Sequence, residues 1–148
     1  MIRSAAKAII LAALAASFAP AAAPAQPAPL QARQALYELR VYHAAPGKLA
    51  DLNTRFRDHT LRLFRKHGMT SVAYWNEAPT PADPNGKVIY ILAYPDMAAH
   101  DADWKAFRAD PEWQKAAAAS EANGKLVLKV DSSFMTMTDY SPPLTLGR

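Results

Sequence analysis

The sequence has no cysteine, few glycines and no clustered basic face. Without cysteine the chain forms no disulfide and offers no thiolate nucleophile or thiolate metal ligand. The five glycines include no Gly-x-Gly pattern, so a glycine-rich phosphate loop is absent. The 17 basic residues only slightly outnumber the 13 acidic ones, and this mild, unclustered excess argues against nucleic-acid binding. The four histidines are 16, 8 and 33 residues apart, so no metal site and no cofactor are predicted.

Residues 1–25 have the pattern of a secretory signal peptide. Arg3 and Lys7 precede a short apolar run, and small residues that suit cleavage after Ala23 or Ala25 follow it. The run is too short and too rich in alanine to predict a transmembrane helix, although an uncleaved N-terminal anchor is the alternative. We therefore expect an exported protein, periplasmic or secreted, without stable membrane insertion after signal cleavage.

The remaining chain divides into a leader, one domain and a tail. Residues 26–34 are rich in proline and alanine and are expected to be disordered. Residues 35–140 have the length and patterning of one domain, and 141–148 form an irregular tail. Predicted strands cover 35–43, 69–76, 87–94 and 125–138, and predicted helices cover 48–67, 96–109 and 110–122. The order βαββαβ predicts an α+β fold, a ferredoxin-like antiparallel sheet with helices on one face.

The first helix is predicted from an apolar stripe. Leu49, Leu52, Phe56, His59 and Leu63 follow the spacing of one helix face, which predicts His59 as a core residue. The opposite side, from Arg55 to Lys66, is basic and is expected to face solvent.

The strand that contains Tyr37-Glu38-Leu39-Arg40-Val41-Tyr42 has two contrasting faces. Tyr37, Leu39 and Val41 share one face, and an acid, a base and a phenol share the other. Because helices cover one side of the sheet, its other side needs a different cover. We expect that side to carry the tyrosines of the strands, which would be an unusually large exposed aromatic surface for a monomer. A homodimer that packs sheet against sheet into an α+β barrel would cover it.

Four motifs in order resemble the NIPSNAP family. They are residues 37–42 with Pro46-Gly47-Lys48, His67-Gly68 before a strand ending in Tyr74-Trp75, Ala93-Tyr94, and Asp110-Pro111-Glu112-Trp113. The resemblance covers about residues 37–138 and implies a dimeric α+β barrel of ferredoxin-like subunits. It implies no settled reaction. The sequence departs from the resemblance at His100, where many relatives are expected to have arginine.

The candidate ligand-binding residues are Glu38, Arg40, Tyr42, His43, Tyr74, Tyr90 and Tyr94. Arg40 could bind an anionic ligand beside Glu38, or the two could form a structural salt bridge. His43 follows the first strand and is expected at a barrel mouth or, alternatively, in an exposed loop. The tyrosines either line a cavity or fill the barrel interior and the dimer interface. No catalytic residue is identified.

Three functions are consistent with these patterns. The first is the binding of a small apolar or aromatic molecule in a dimeric barrel cavity. The second is a cofactor-free monooxygenase or an isomerase, which rests on analogy with other dimeric α+β barrels. The third is a structural or interaction dimer whose partner surface is the basic outer side of the first helix.

Overall fold

The computed structural model describes residues 31–144 and 146. Within them, four strands form one antiparallel sheet of order β2-β3-β1-β4. The strands are β1 (Leu36–Ala44), β2 (Thr70–Glu77), β3 (Lys87–Tyr94) and β4 (Val127–Met135). The predicted ferredoxin-like α+β fold is confirmed. The predicted signal peptide and most of the predicted leader lie outside the described residues.

The helices follow β1 and β3, as the predicted βαββαβ order requires. A continuous helix contains α1 (Leu49–Arg55), a π-helical turn (Phe56–Thr60) and α2 (Leu61–Lys66), and it is followed later by α3 (Met97–Ala109) and α4 (Pro111–Ser120). A short 3-10 turn, Ala32–Gln34, precedes β1. In the described part of the chain, no helix combines the length and apolar character needed to cross a bilayer.

Aspartate side chains cap the two helices that follow β3. Asp96 Oδ1 accepts a hydrogen bond of 2.8 Å from the Ala99 backbone N–H, and Asp110 Oδ1 accepts one of 2.8 Å from that of Glu112. Such bonds satisfy N–H groups that have no partner within the helix. Pro111 is the first residue of α4, where its missing N–H costs nothing. The predicted start of this helix is confirmed.

The π-helical turn changes which residues of the first helix are buried. The Leu61 N–H bonds to the Phe56 carbonyl, five residues back, and the turn therefore displaces the helix face by about one residue. Thr60 is buried, with its hydroxyl 3.2 Å from the Arg55 carbonyl oxygen, whereas His59 is only half-buried. The prediction that His59 is a core residue is wrong for this reason.

Arg55 also departs from its predicted place on the solvent side. Its side chain is buried between α1 and α4, where Nη1 lies 3.1 Å from Glu121 Oε1 and 3.4 Å from Ser120 Oγ. The guanidinium carbon lies 5.4 Å from the Trp113 ring centroid. These polar and aromatic contacts compensate for removing the charge from water.

The main core lies between the helices and one face of the sheet. It contains Leu52, Phe56, Leu63, Phe64, Val88, Tyr90, Leu92, Tyr94, Trp104 and Phe107. The opposite face, called here the uncovered face, carries Leu39, Val41, Ile89, Ile91 and Trp75, as the strand register requires. Near one end of that face, Met137 and Leu146 of the C-terminal segment pack on a small cluster around Tyr37.

The strand tyrosines lie on the opposite side of the sheet from the one predicted. Tyr42, Tyr74, Tyr90 and Tyr94 lie under the helices, because they share a face with Arg40 and contact helical side chains. The prediction took the apolar face of β1 to be the helix-covered one. The polar face can be buried instead because its acid and base are paired with each other and with further donors.

Candidate functional site

Glu38 is the centre of a buried polar cluster. It lies in the middle of the sheet on β1, and its side chain is 1% exposed. Its Oε1 atom accepts hydrogen bonds from Arg40 Nη1 at 2.5 Å and from Ser132 Oγ at 2.7 Å. Its Oε2 atom accepts bonds from Trp104 Nε1 at 3.0 Å and from the Tyr94 hydroxyl at 3.2 Å. Four donors therefore satisfy this carboxylate.

These donors decide the protonation state of Glu38. Burial by itself would raise the pKa of the carboxyl group. The Ser132 hydrogen bond, the charge and hydrogen bond of Arg40 and the Trp104 hydrogen bond outweigh it, so the pKa lies below its ordinary value. Burial and the Glu38 charge raise the pKa of Tyr94 far above that of a free phenol. At neutral pH the cluster therefore contains a carboxylate and a neutral tyrosine, which makes Glu38 a weak proton acceptor.

Arg40 is held by its neighbours on β1 and α3. Its guanidinium carbon lies 4.3 Å from the Trp104 ring centroid and 5.5 Å from that of Tyr42. With Glu38 at one end and Trp104 on one face, the guanidinium is both paired and stacked. This arrangement favours the structural salt bridge over the anion-binding role that the sequence also allowed.

His100 joins the cluster from α3, although sequence reasoning gave it no role beyond its departure from the family resemblance. Its Nε2 atom lies 3.4 Å from Glu38 Oε2, and its Nδ1 atom lies 2.9 Å from Asp101 Oδ1. The ring centroid is 5.0 Å from those of Tyr94 and Phe134. Ser132 and Trp104 were also missed, because pairing between distant strands and helices leaves no local sequence signal.

The remaining predicted tyrosines form a packed aromatic layer. The Tyr90 ring centroid lies 5.3 Å from those of Tyr42 and Phe56 and 5.6 Å from that of Tyr74. The Tyr74 hydroxyl lies 2.6 Å from Ser71 Oγ. The Tyr90 side chain is completely buried, and its hydroxyl makes no hydrogen bond of good geometry among the described residues. These contacts favour tyrosines that fill the interior over tyrosines that line a large cavity.

His43 is separated from the other six candidates. It lies on the uncovered face at the end of β1, where its Nε2 atom is 2.8 Å from Asp131 Oδ2. Lys129 Nζ is 2.8 Å from the other carboxylate oxygen of Asp131. Hydrogen bonds from Lys129 and then from His43 lower the pKa of Asp131. The structure thus brings Glu38, Arg40 and the four tyrosines together but excludes His43.

An apolar cavity of about 540 Å³ lies on the uncovered face, between the sheet and the C-terminal segment. Its lining residues are mostly apolar and come from β1, β2, β3, the end of β4 and the tail: Tyr37, Val72, Ala73, Trp75, Ile91, Met135, Thr136, Met137, Thr138, Ser141, Pro142, Pro143 and Leu144. None of them is among the ligand-binding residues predicted from the sequence. The alternation of Met135 and Met137 along one strand face was the available signal.

No metal site was predicted. In residues 31–144 and 146, no three histidine, aspartate or glutamate side chains group closely enough to hold a metal ion.

Comparisons with known proteins agree on one family. The NIPSNAP family profile matches residues 37–142. An uncharacterized NIPSNAP-like domain protein from Burkholderia xenovorans superposes with a TM-score of 0.63 at 19% identity, covering 77% of this chain and 94% of that one. A NIPSNAP family protein of unknown function from Agrobacterium tumefaciens superposes with a TM-score of 0.61 at 18% identity, covering 74% and 94%. No curated protein sequence gives a significant match.

The two structural neighbours support the fold, and the family profile covers most of the domain. The resemblance seen in the sequence motifs is thereby confirmed. This chain belongs to the NIPSNAP family.

Proposed function

We propose that the protein binds a small apolar molecule in the cavity on the uncovered face. The supporting observation is the cavity itself, which has a volume of about 540 Å³. Small-molecule sites commonly measure about 300–1,000 Å³ and have mainly apolar walls. On the helix-covered face, the described tyrosines pack on one another and on the Glu38 cluster.

The lining residues indicate the class of ligand. Met135 and Met137 have flexible, polarizable thioethers that adapt to irregular or flat apolar groups, and Trp75 adds an aromatic surface. The Tyr37 hydroxyl donates to the Ala32 carbonyl oxygen at 2.8 Å, so it is already paired. Among the described residues, no charged side chain lines the cavity. The walls therefore suit an uncharged aromatic or aliphatic molecule.

We propose further that a second copy of the chain covers this face in a homodimer. Trp75 is 51% exposed and Met135 is 37% exposed, although both are large apolar side chains. Their exposure on one sheet face would be relieved by sheet-on-sheet packing, which brings two inner faces about 10 Å apart. The second sheet would also close the cavity. Native mass spectrometry should find a dimer, and a protein that stays monomeric at micromolar concentration would contradict this assembly.

A cavity-filling substitution tests the proposed ligand site. Ala73→Phe should fill the cavity from β2, and Ala98→Phe on the exposed side of α3 is the matched control. The probe is N-phenyl-1-naphthylamine, an uncharged aromatic molecule whose fluorescence rises in apolar surroundings. We expect saturable binding to the native protein and to the control, and at least about tenfold weaker binding to Ala73→Phe, the equivalent of losing about 1.4 kcal/mol. Equal affinity in all three proteins would overturn the proposal.

The N-terminal sequence supports a proposal about location, which is that the chain is exported and its signal peptide removed. The mass of the intact protein from its own host should correspond to cleavage after Ala23 or Ala25. A full-length mass would contradict the proposal.

A further inference from the structure

A second, smaller cavity lies at the edge of the sheet, between β2 and the first helix. Its volume is about 230 Å³. Its lining combines aromatic, aliphatic, amide and guanidinium side chains: Asn53, Phe56, Arg57, Leu61, Tyr74, Trp75, Asn76 and Val88. This combination of side-chain types differs from that of the Glu38 cluster and from that of the apolar cavity on the uncovered face. Trp75, on the edge strand, contributes to the lining of both cavities.

The π-helical turn forms one wall of this smaller cavity. Phe56 and Arg57 belong to the turn, and Leu61 follows it directly. A π-helical turn is less favourable than regular α-helix and is frequently found at functional sites. Five residues of a regular α-helix would turn Phe56 and Leu61 about 140° apart. The i→i+5 bond of the π-helical turn instead brings both side chains toward the cavity that they line.

The aromatic residues provide a surface for a flat ring. The Phe56 and Tyr74 ring centroids lie 6.0 Å apart with an interplanar angle of 67°. Because the Tyr74 hydroxyl is paired with Ser71 Oγ, Tyr74 offers its ring rather than a free donor. Two rings at this angle allow a third ring to contact one by its face and the other by its edge, which are favourable aromatic geometries.

The polar residues of the cavity are fixed or unpaired. Asn53 Nδ2 donates to the Leu49 carbonyl oxygen at 2.9 Å and to Asn76 Oδ1 at 3.0 Å. That bond makes the Asn76 oxygen the acceptor and leaves its amide nitrogen as a donor. Arg57 is exposed and forms no salt bridge with any carboxylate in the described part of the chain. A guanidinium and an amide donor beside an apolar surface suit an anionic oxygen.

We propose that this cavity, the β2-edge site, binds a small planar aromatic carboxylate. The ring would lie against Phe56 and Tyr74, and the carboxylate would face Arg57 and Asn76. This site differs in chemistry from the cavity on the uncovered face, whose lining in the described part of the chain carries no charge.

Matched ligands and variants test the β2-edge site by isothermal titration calorimetry. The probes are 2-naphthoate and its uncharged analogue 2-naphthamide. Arg57→Gln removes the cation at the site, and Arg62→Gln makes the same change on the same helix, away from the cavity lining. We expect Arg57→Gln to weaken 2-naphthoate binding by about fivefold, as for the loss of one exposed ion pair. Binding of 2-naphthamide should not change, and Arg62→Gln should bind both probes as the native protein does.

Two further variants separate this proposal from that for the larger cavity. Leu61→Phe should fill the β2-edge site and weaken both probes, whereas Ala73→Phe should leave 2-naphthoate binding intact. Loss of 2-naphthoate binding in Ala73→Phe would place the ligand in the larger cavity and overturn the β2-edge site. Equal 2-naphthoate affinity in native and Arg57→Gln proteins, or no binding at millimolar concentration, would also overturn it. None of these three results would affect the test with N-phenyl-1-naphthylamine.

Discussion

Polar residues are usually exposed and apolar residues buried, but the two faces of this sheet show the opposite arrangement. The helix-covered face buries Glu38 almost completely and keeps Arg40 only 16% exposed. The uncovered face leaves Trp75 half-exposed in the described structure. Buried charges are tolerated when they are paired and hydrogen-bonded. Glu38 and Arg40 are paired with each other within one chain, although Arg40 Nε has no hydrogen-bond partner among the described residues.

Large exposed apolar side chains indicate a missing partner. The edge strand β4 exposes Val130 and Phe134 on the helix-covered face, and the uncovered face exposes Trp75 and Met135 beside the apolar cavity. The uncovered face is therefore where ligand binding is expected.

The comparison predicts that stability resides on one face and binding on the other. Substitutions under the helices should change the free energy of unfolding, and substitutions on the uncovered face should change association.

The largest effect on stability is expected for Glu38→Gln. The substitution leaves the Arg40 charge without its carboxylate in a site that is mostly shielded from water, which should cost about 3 kcal/mol. Glu77→Gln is the control, because Glu77 Oε2 lies 2.9 Å from Lys87 Nζ in a surface pair worth less than about 1 kcal/mol. Urea unfolding at neutral pH measures both. Equal losses would show that the Glu38 cluster is not a stabilising centre.

The pH dependence of stability should identify the same carboxylate. The folded-state pKa of Glu38 is below the ordinary value of 4.5, so the folded protein binds this proton less readily than the unfolded chain. The contribution of the Glu38 carboxylate to the free energy of unfolding is fully present above pH 4.5. It is lost as the pH falls through the lowered folded-state pKa. The difference in unfolding free energy between native protein and Glu38→Gln should therefore narrow on acidification. Urea titrations between pH 7 and pH 3 measure this difference. A difference that stays constant over this range would contradict a lowered folded-state pKa for Glu38.

Asp110 offers a control for that experiment. Hydrogen bonds from Lys66 and then from His67 hold the pKa of Asp110 well below its usual range. The contribution of Asp110 to the free energy of unfolding is likewise present at neutral pH and lost in acid. The Glu38→Gln variant keeps Asp110, so its free energy of unfolding should still fall on acidification.

Two tyrosine hydroxyls in the same core should contribute differently to the free energy of unfolding. Tyr94→Phe removes a hydrogen bond to Glu38 Oε2 and should destabilise the protein by about 1 kcal/mol. Tyr90→Phe removes a buried hydroxyl that makes no well-formed bond among the described residues, so it should be neutral or stabilising. Thermal or urea unfolding compares them, and a larger loss for Tyr90→Phe would reveal a partner for that hydroxyl.

The smallest effect on chain stability is expected for Trp75→Gln on the uncovered face. Trp75 is 51% exposed, and surface substitutions usually change the free energy of unfolding by no more than about 0.5 kcal/mol. Dimer formation should nevertheless weaken, because the substitution removes a large apolar surface from the proposed interface. Analytical ultracentrifugation and urea unfolding of the dissociated chain separate the two quantities. A strongly destabilised monomer with intact dimerization would reverse the roles assigned to the two faces.

The fold was largely predictable because its signals are local. The third strand was predicted at 87–94, which is the observed β3. The start of α4 followed from Asp110 and Pro111, a capping side chain followed by a residue suited to the first helical turn. Such features depend on neighbouring residues only, so one sequence contains the necessary information.

The site was less predictable because its decisive contacts are distant in sequence. The alternation along β1 correctly separated Glu38, Arg40 and Tyr42 from the apolar face, but alternation does not say which face the helices cover. That choice depends on Trp104 and Ser132, which lie 66 and 94 residues from Glu38. His43 was grouped with Glu38 and Arg40 for a different reason. The same alternation places it with Leu39 and Val41, but proximity along the chain was taken for proximity in space.

The π-helical turn has a consequence for comparing this chain with its relatives. The turn accommodates one residue more than an α-helix of the same length, so Phe56–Thr60 acts as an insertion inside a helix. A relative with a regular helix at this place should have one residue fewer, and the alignment gap belongs between Arg55 and Leu61. An alignment that moves this gap to the neighbouring loop would equate His59 with core positions and leave Thr60 among the solvent-facing ones.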